Sequence, residues 1–199
     1  MAIKKEGKEF SGKTIQMDFT TRIRLLFLKP SEFFEKVKKE EIILSFSLFV
    51  AVLIIGSFLS LIVSNPILVL VSSITSVIFL FIYYITTHIF AYLLGGRNGI
   101  KQSLKVLMYA SIPIMIVSIP FNLAGKVISS NPYFGLAVLV ILGIWNIYLE
   151  GLGLGKIQGF GTGKGILAGF LSLFTLLILF ALFLFSTLQG AGVVLPAIK

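Results

Sequence analysis

From residue 42 onward the chain reads as five long apolar runs separated by short polar breaks, at 42–63, 68–94, 103–123, 133–152 and 166–187. Each run is close to the ~20 residues an α-helix needs to cross the hydrocarbon core. The break Ser64-Asn65-Pro66 carries no charge and is so short that the second run must return antiparallel, as a helical hairpin. The pattern predicts an all-α, polytopic membrane protein: a five-transmembrane-helix bundle, residues 42–199, preceded by a basic amphipathic arm, residues 1–41. Within that arm Phe19, Ile23, Leu26 and Phe27 recur at helical spacing beside Arg22 and Arg24. After Pro30, Phe33, Phe34 and Val37 fall opposite Glu35, Lys36, Lys38, Lys39 and Glu40. Both stretches fit an interfacial segment lying along the headgroup boundary; a solvated charged tail is the alternative.

Polar positions inside the runs are few and placed on faces. At about 100° per residue, Ser73, Ser76, Tyr84, Thr87, His88, Ala91 and Gly95 share one arc of the second run. An unpartnered polar group in lipid costs several kcal/mol, so this arc should face the bundle. His88 is the one histidine of the chain. A neutral His88 hydrogen-bonded to another helix is expected, with Tyr109 or the carbonyls freed by Pro113, Asn146 or Glu150, and Tyr84 or Tyr92 as reachable partners. Pro113 and Pro120 interrupt the third run and weaken its backbone ladder. In the fourth run Asn146 and Glu150 lie on a face with Gly135, Gly143 and Gly153, with Trp145 and Tyr148 opposite as interface anchors. Gly95 and Gly96 stop the second run, and Gly165 with Gly169 opens the fifth with the spacing that lets helices approach closely. Tyr84, His88, Tyr109, Asn146 and Glu150 are the candidate intramembrane polar site.

Composition narrows the class. The chain is 57% hydrophobic and 13% charged, with mean hydropathy +1.03, outside the soluble range. The net charge of +9 comes from basic residues at the ends of apolar runs, which favours lipid headgroups over nucleic acid as a partner. Arg22, Arg24, Arg97, Lys101 and Lys105 are the candidate headgroup contacts. With zero cysteines, disulfides, thiolate chemistry and Cys-ligated metals are excluded. Residues 1–41 hold ten of the 17 Lys and Arg residues and no apolar core of a signal peptide, so no cleavable leader is expected. If the N-terminus is cytoplasmic, fifteen basic residues lie inside and only Lys126 and Lys199 outside. That bias predicts an N-in, C-out multi-pass protein of the cell membrane.

The chemistry on offer is thin. One histidine with one distant Glu150 supplies neither an activated nucleophile nor metal ligands in number, so no catalytic residue, metal or cofactor is expected. The stretch 151–165 holds seven glycines and reads as a loop, and its Gly163-Lys164 resembles the end of a Walker sequence. Gln158 stands where the first glycine belongs, Gly165 replaces the Ser or Thr, and no strand precedes it. A membrane scaffold or adaptor, with a protein partner at the cytoplasmic face and room for a homo-oligomer, is the leading reading. A small transporter or permease subunit with a polar path near His88 is the alternative.

In order along the chain stand Pro30-x-x-Phe33-Phe34 before the first run, His88 with Gly95-Gly96 and a basic loop, Tyr109-Ala110 with Pro113, and Lys164-Gly165 before the fifth run. With these in sequence, the chain resembles the Yip domain family, Ypt-interacting membrane proteins with five spans and a cytoplasmic N-terminus. The resemblance covers roughly 30–185. It implies membrane organisation or recruitment of partners as in trafficking. Eukaryotic relatives are associated with Rab-type GTPases, but their long N-terminal region is missing here, and the chain is more similar to the compact archaeal and bacterial branch.

Overall fold

Asp18 and Pro30 set the starts of the first two helices in the computed structural model, which describes residues 17–62, 65–123 and 132–190. Lys126 and Lys199, on which the outer side of the charge count rests, lie outside the described residues. Helix α1 (Phe19–Leu28) is capped by the Asp18 carboxylate, which accepts from the Thr21 amide at 3.1 Å. Helix α2 (Pro30–Val37) begins on proline, whose fixed φ suits a first turn. Five long helices follow: α3 (Ile42–Ser60), α4 (Pro66–Leu93), α5 (Ile100–Leu123), α6 (Pro132–Gln158) and α7 (Thr162–Gly190). All five are long and apolar enough to cross a membrane. Asn65 caps α4 by accepting from Ile67 N–H at 2.9 Å. At its other end Gly96 N–H bonds Ala91 C=O at 2.9 Å, Gly95 N–H bonds Tyr92 C=O at 3.0 Å, and Gly95 has φ +101°. This is a Schellman stop, and it needs a residue without Cβ at 95.

α5 is the centre of the bundle. It packs on α1, α3, α4 and α6, while α7 closes the far side against α4 and α6. Half of its membrane-crossing stretch (50%) is buried inside the protein, against 17% for α3, α4 and α7. The outer helices turn Ile54, Ile78 and Phe174 outward, which only a hydrocarbon surrounding satisfies. α1 and α2 turn their apolar face onto the bundle rather than onto lipid or into water. Phe33, Phe34 and Val37 are 0% exposed, with the Phe33 ring edge-on to Tyr109 at 5.0 Å and Phe27 edge-on to Trp145 at 5.4 Å. Trp145, read from sequence as an interface anchor, is therefore partly covered by α1, while Tyr148 stays exposed.

The glycine-rich stretch departs most from its sequence reading. α6 does not stop near residue 152; it continues as helix to Gln158 and ends on Gly159 at φ +76°. Each glycine inside a helix costs about 1 kcal/mol relative to alanine, but here the missing side chains admit neighbours. A Cβ on Gly165 would stand 2.8 Å from the Cα and 2.9 Å from the carbonyl carbon of Gly151, so α6 and α7 touch backbone to backbone. A Cβ on Gly153 would stand 2.5 Å from Val106 and 2.8 Å from Phe34, where α5 and α2 press on the same turn. The glycines lie in a helix because three other helices converge on it.

Gly165→Leu should force α6 and α7 apart and lower the stability of the detergent-purified protein by about 1–3 kcal/mol or more. Gly163→Ala, with nothing within 4 Å of the added Cβ, should leave the melting temperature unchanged or raised. Equal behaviour of the two variants in a thermal melt would contradict the close approach.

Candidate functional site

Among the described residues every charged side chain except Glu150 belongs to one end of the bundle, where α1, α2, the starts of α3, α5 and α7 and the ends of α4 and α6 meet. Three polar clusters, buried or half-buried, hold that end and the layer below it together.

The first pins the N-terminal helices. Arg22 Nη1 donates to Glu40 Oε2 at 2.6 Å and to the Tyr109 hydroxyl at 2.9 Å, Tyr109 donates to the same Glu40 oxygen at 2.9 Å, and Arg22 Nε donates to Met17 C=O at 2.9 Å. The ion pair is buried, with 10% and 3% of the two side chains exposed. Burial lowers the pKa of Arg22, but the hydrogen bond to Glu40 and the electrostatic pull of the Tyr109 hydroxyl and the Glu40 carboxylate outweigh it and raise the value. Lys105, on α5 one turn from Tyr109, donates to the carbonyls of Lys38 at 3.0 Å and Glu40 at 2.8 Å. A cation there meets the C-terminal end of α2, where the free carbonyls concentrate negative charge. Arg22 and Lys105 are 8% and 1% exposed, so both are corrected from headgroup contacts to internal ones. Arg24, Arg97 and Lys101 are exposed at the same end.

The second cluster contains His88. Its Nδ1 lies 2.9 Å from Ser103 Oγ on α5, and Ser103 Oγ also accepts from Gln158 Nε2 at 2.6 Å. With that oxygen already accepting, its O–H is free to point at Nδ1, the pattern of a neutral imidazole. Gln158 reaches on to the 95–99 loop, accepting from Asn98 N–H at 2.8 Å and donating to Asn98 C=O at 3.2 Å. Asn98 in turn donates through Nδ2 to Ile157 C=O. His88 thus bonds another helix, but its partner is Ser103, not Tyr109, Asn146, Glu150 or a neighbouring tyrosine. Serine is small and common in membrane helices, which kept it from standing out.

In the third, Glu150 is fully buried. Its carboxylate accepts from the Tyr83 hydroxyl at 2.5 Å and from Asn146 Nδ2 at 2.7 Å. Gly169 leaves the room: a Cβ there would stand 3.4 Å from Glu150 Oε2 and 3.5 Å from the Tyr83 hydroxyl. The fully buried Tyr84, one residue on, turns to α5 instead and donates to Ser111 Oγ at 2.6 Å. The five residues grouped from sequence therefore do not form one site. Tyr109 belongs to the pin, His88 to the Gln158 cluster, Asn146 and Glu150 to Tyr83, and Tyr84 to Ser111. Pro113 is buried and Pro120 exposed in an α5 that runs through both. Among the described residues no group of three or more His, Cys, Asp or Glu is placed to hold a metal ion. A cavity of about 240 Å³ between α3, α4 and α5 has Ser57, Ser60, Ser72, Ser73, Ser76 and Ser118 in its wall, and none of the five residues.

Glu40 was missed because an acid next to lysines reads as solvated. Gln158 was weighed only as a mismatch to a phosphate loop. Glu40→Ala should strand Arg22 in the interior, at about 3–5 kcal/mol, and should speed amide exchange in α1 and α2 well above that in α6. Tyr109→Phe removes one hydroxyl and should cost about 1–2 kcal/mol. His88→Gln should keep the bundle's melting temperature, while His88→Leu should lower it by leaving the Ser103 hydroxyl proton without its His88 acceptor.

Among known protein families the Yip1 domain matches residues 23–185, from the second turn of α1 to the last turns of α7. No curated protein and no solved structure is similar enough to count as a match. The matched stretch takes in the five membrane helices almost entirely, Glu40 and Tyr109 of the pin, and the His88 and Glu150 clusters, and begins one residue after Arg22; with most of its length covered the chain belongs to the Yip1 domain family of multi-pass membrane proteins.

Proposed function

We propose that this protein is a non-enzymatic membrane scaffold or adaptor, with its charged end and N-terminus at the cytoplasmic face, its C-terminus outside, and the cell membrane as its site. The observation that carries the reading is the pin: Arg22, Glu40, Tyr109 and Lys105 fix α1 and α2 against α5. An arm held by a buried ion pair presents a constant surface, and constancy is what a recruiting face needs to bind without a large ordering penalty. Around it Arg24, Lys39, Arg97 and Lys164 give a basic rim for anionic lipid or an acidic partner. The fifteen-to-two distribution of basic residues supports the orientation. Transport is the weaker reading, because the serine-walled cavity and the His88 and Glu150 clusters are separate.

Reporter fusions after Lys126 and after Lys199 should both read out as external; a cytoplasmic signal from either would overturn the orientation. Photo-crosslinking residues at positions 24, 39 and 97 should give one discrete protein adduct in native membranes, while position 78 on the outer face of α4 should give lipid alone. Lipid adducts at all four positions would end the adaptor reading.

A further inference from the structure

Between the start of α3 and the start of α5, at the charged end, lies a cavity of about 330 Å³ walled by Glu40, Glu41, Ile42, Ile43, Lys101, Gln102 and Lys105. Two of its polar side-chain atoms already have partners. Glu40 Oε2 serves Arg22 and Tyr109, and Lys105 Nζ serves two carbonyls. Two acceptors have none: Glu40 Oε1 and Gln102 Oε1 are buried without a hydrogen-bond partner, although Glu40 is only 6% exposed. A buried carboxylate oxygen left unpaired costs more than a neutral group would. Glu41 and Lys101 complete the wall, exposed and, among the described residues, drawn into none of the ion pairs. Ile43, 55% exposed, leads from the cavity down the outer face of α3.

This wall selects its ligand by charge and by donor count. Spare acceptors on Glu40, Gln102 and Glu41 call for a cation with several N–H donors. Lys101 at the rim calls for an anion beside that cation. Ile42 and Ile43 at the level where α3 enters the hydrocarbon call for an apolar tail. We propose that this cavity holds the headgroup of an ethanolamine phospholipid, its primary ammonium donating to Glu40 Oε1 and Gln102 Oε1, its phosphate beside Lys101 and its chains along Ile43. A choline headgroup carries its charge on a quaternary nitrogen and has no N–H to give. A glycerol or serine-free anionic headgroup brings no cation and would set its phosphate against two carboxylates. The site is distinct from the rim proposed for partner binding, and its failure would leave that reading untouched.

The test uses the full chain in detergent and short-chain lipids that differ only by N-methylation: ethanolamine, monomethyl, dimethyl and choline. Affinity should fall as donors are removed, by about tenfold from first to last, the effect of losing hydrogen bonds to a charged group. Phosphatidylglycerol should bind no better than the choline lipid. Gln102→Leu should flatten the series, and Lys101→Gln should weaken every phospholipid in it alike, with melting temperatures unchanged as the check on folding. Equal affinities across the series in the unaltered protein, or tightest binding of phosphatidylglycerol, would overturn the assignment without recourse to any variant. Glycerophosphoethanolamine, which lacks chains, should bind far more weakly; equal binding would overturn the lipid as its source.

Discussion

Removing Arg22 from water is unfavourable by several kcal/mol unless the whole guanidinium finds partners, and this demand organises the charged end of the molecule. Glu40 and Tyr109 accept from Nη1, across 18 and 87 residues of chain, and Met17 C=O accepts from Nε. To bring them there, α1 must cross the start of α5, α2 must lie against α6, and the turn at 38–41 must come down over Lys105. The apolar contacts of Phe33, Phe34 and Val37 then follow from the same placement. Hydrophobic burial supplies most of the attraction, being proportional to area, but area alone would let α2 slide or rotate. The ion pair has one geometry, so it fixes the register.

Backbone proximity is the second constraint, and it works through α6. Gly151 lets α7 close, and Gly153 admits Phe34 and Val106. Glycine's weakness as a helix former is offset only where such a neighbour arrives, since dispersion rises steeply as surfaces meet. The turn around residue 153 thus connects the N-terminal helices to the membrane bundle. Without it Phe34 would have no recess, and the Arg22 to Glu40 pair would be held away from Tyr109.

These two constraints also explain what could be read from the sequence. The five spans were legible because about 20 apolar residues in a row is a local property that needs no knowledge of neighbours. The stop at Gly95 and Gly96 and the close packing at Gly165 were legible for the same reason. The end of α6 was not: seven glycines in 151–165 look like a loop unless their neighbours are known. Arg22 and Lys105 look like headgroup ligands because a basic residue beside an apolar run usually is one. Only the arrival of Glu40, and of the carbonyls of Lys38 and Glu40, makes the buried alternative cheaper. The period of the second run turns the half-buried His88 toward another helix, yet its partner Ser103 came from the third dimension.

The same physics divides the bundle into unlike halves. At the charged end and in the layer below it the polar groups are long, ionised or aromatic, and they reach across helices: Arg22 to Tyr109, Gln158 to Ser103, Tyr83 to Glu150. Toward the α3–α4 turn they are mostly serines, and several bond their own helix: Ser60 to Gly56 C=O, Ser72 to Val69 C=O, Ser118 to Met115 C=O. Ser57 and Ser73, 3.1 Å apart, link α3 to α4 there. A hydroxyl that bonds its own backbone satisfies itself without tying two helices together. The cavity of about 240 Å³ opens in this half. Among the described residues, cross-helix polar bonds and glycine contacts therefore concentrate cohesion at the end that carries α1 and α2, and the opposite half is held mostly by side-chain packing. The end that carries α1 and α2 is thus the more rigid one, while the half toward the α3–α4 turn can yield to the surrounding lipid.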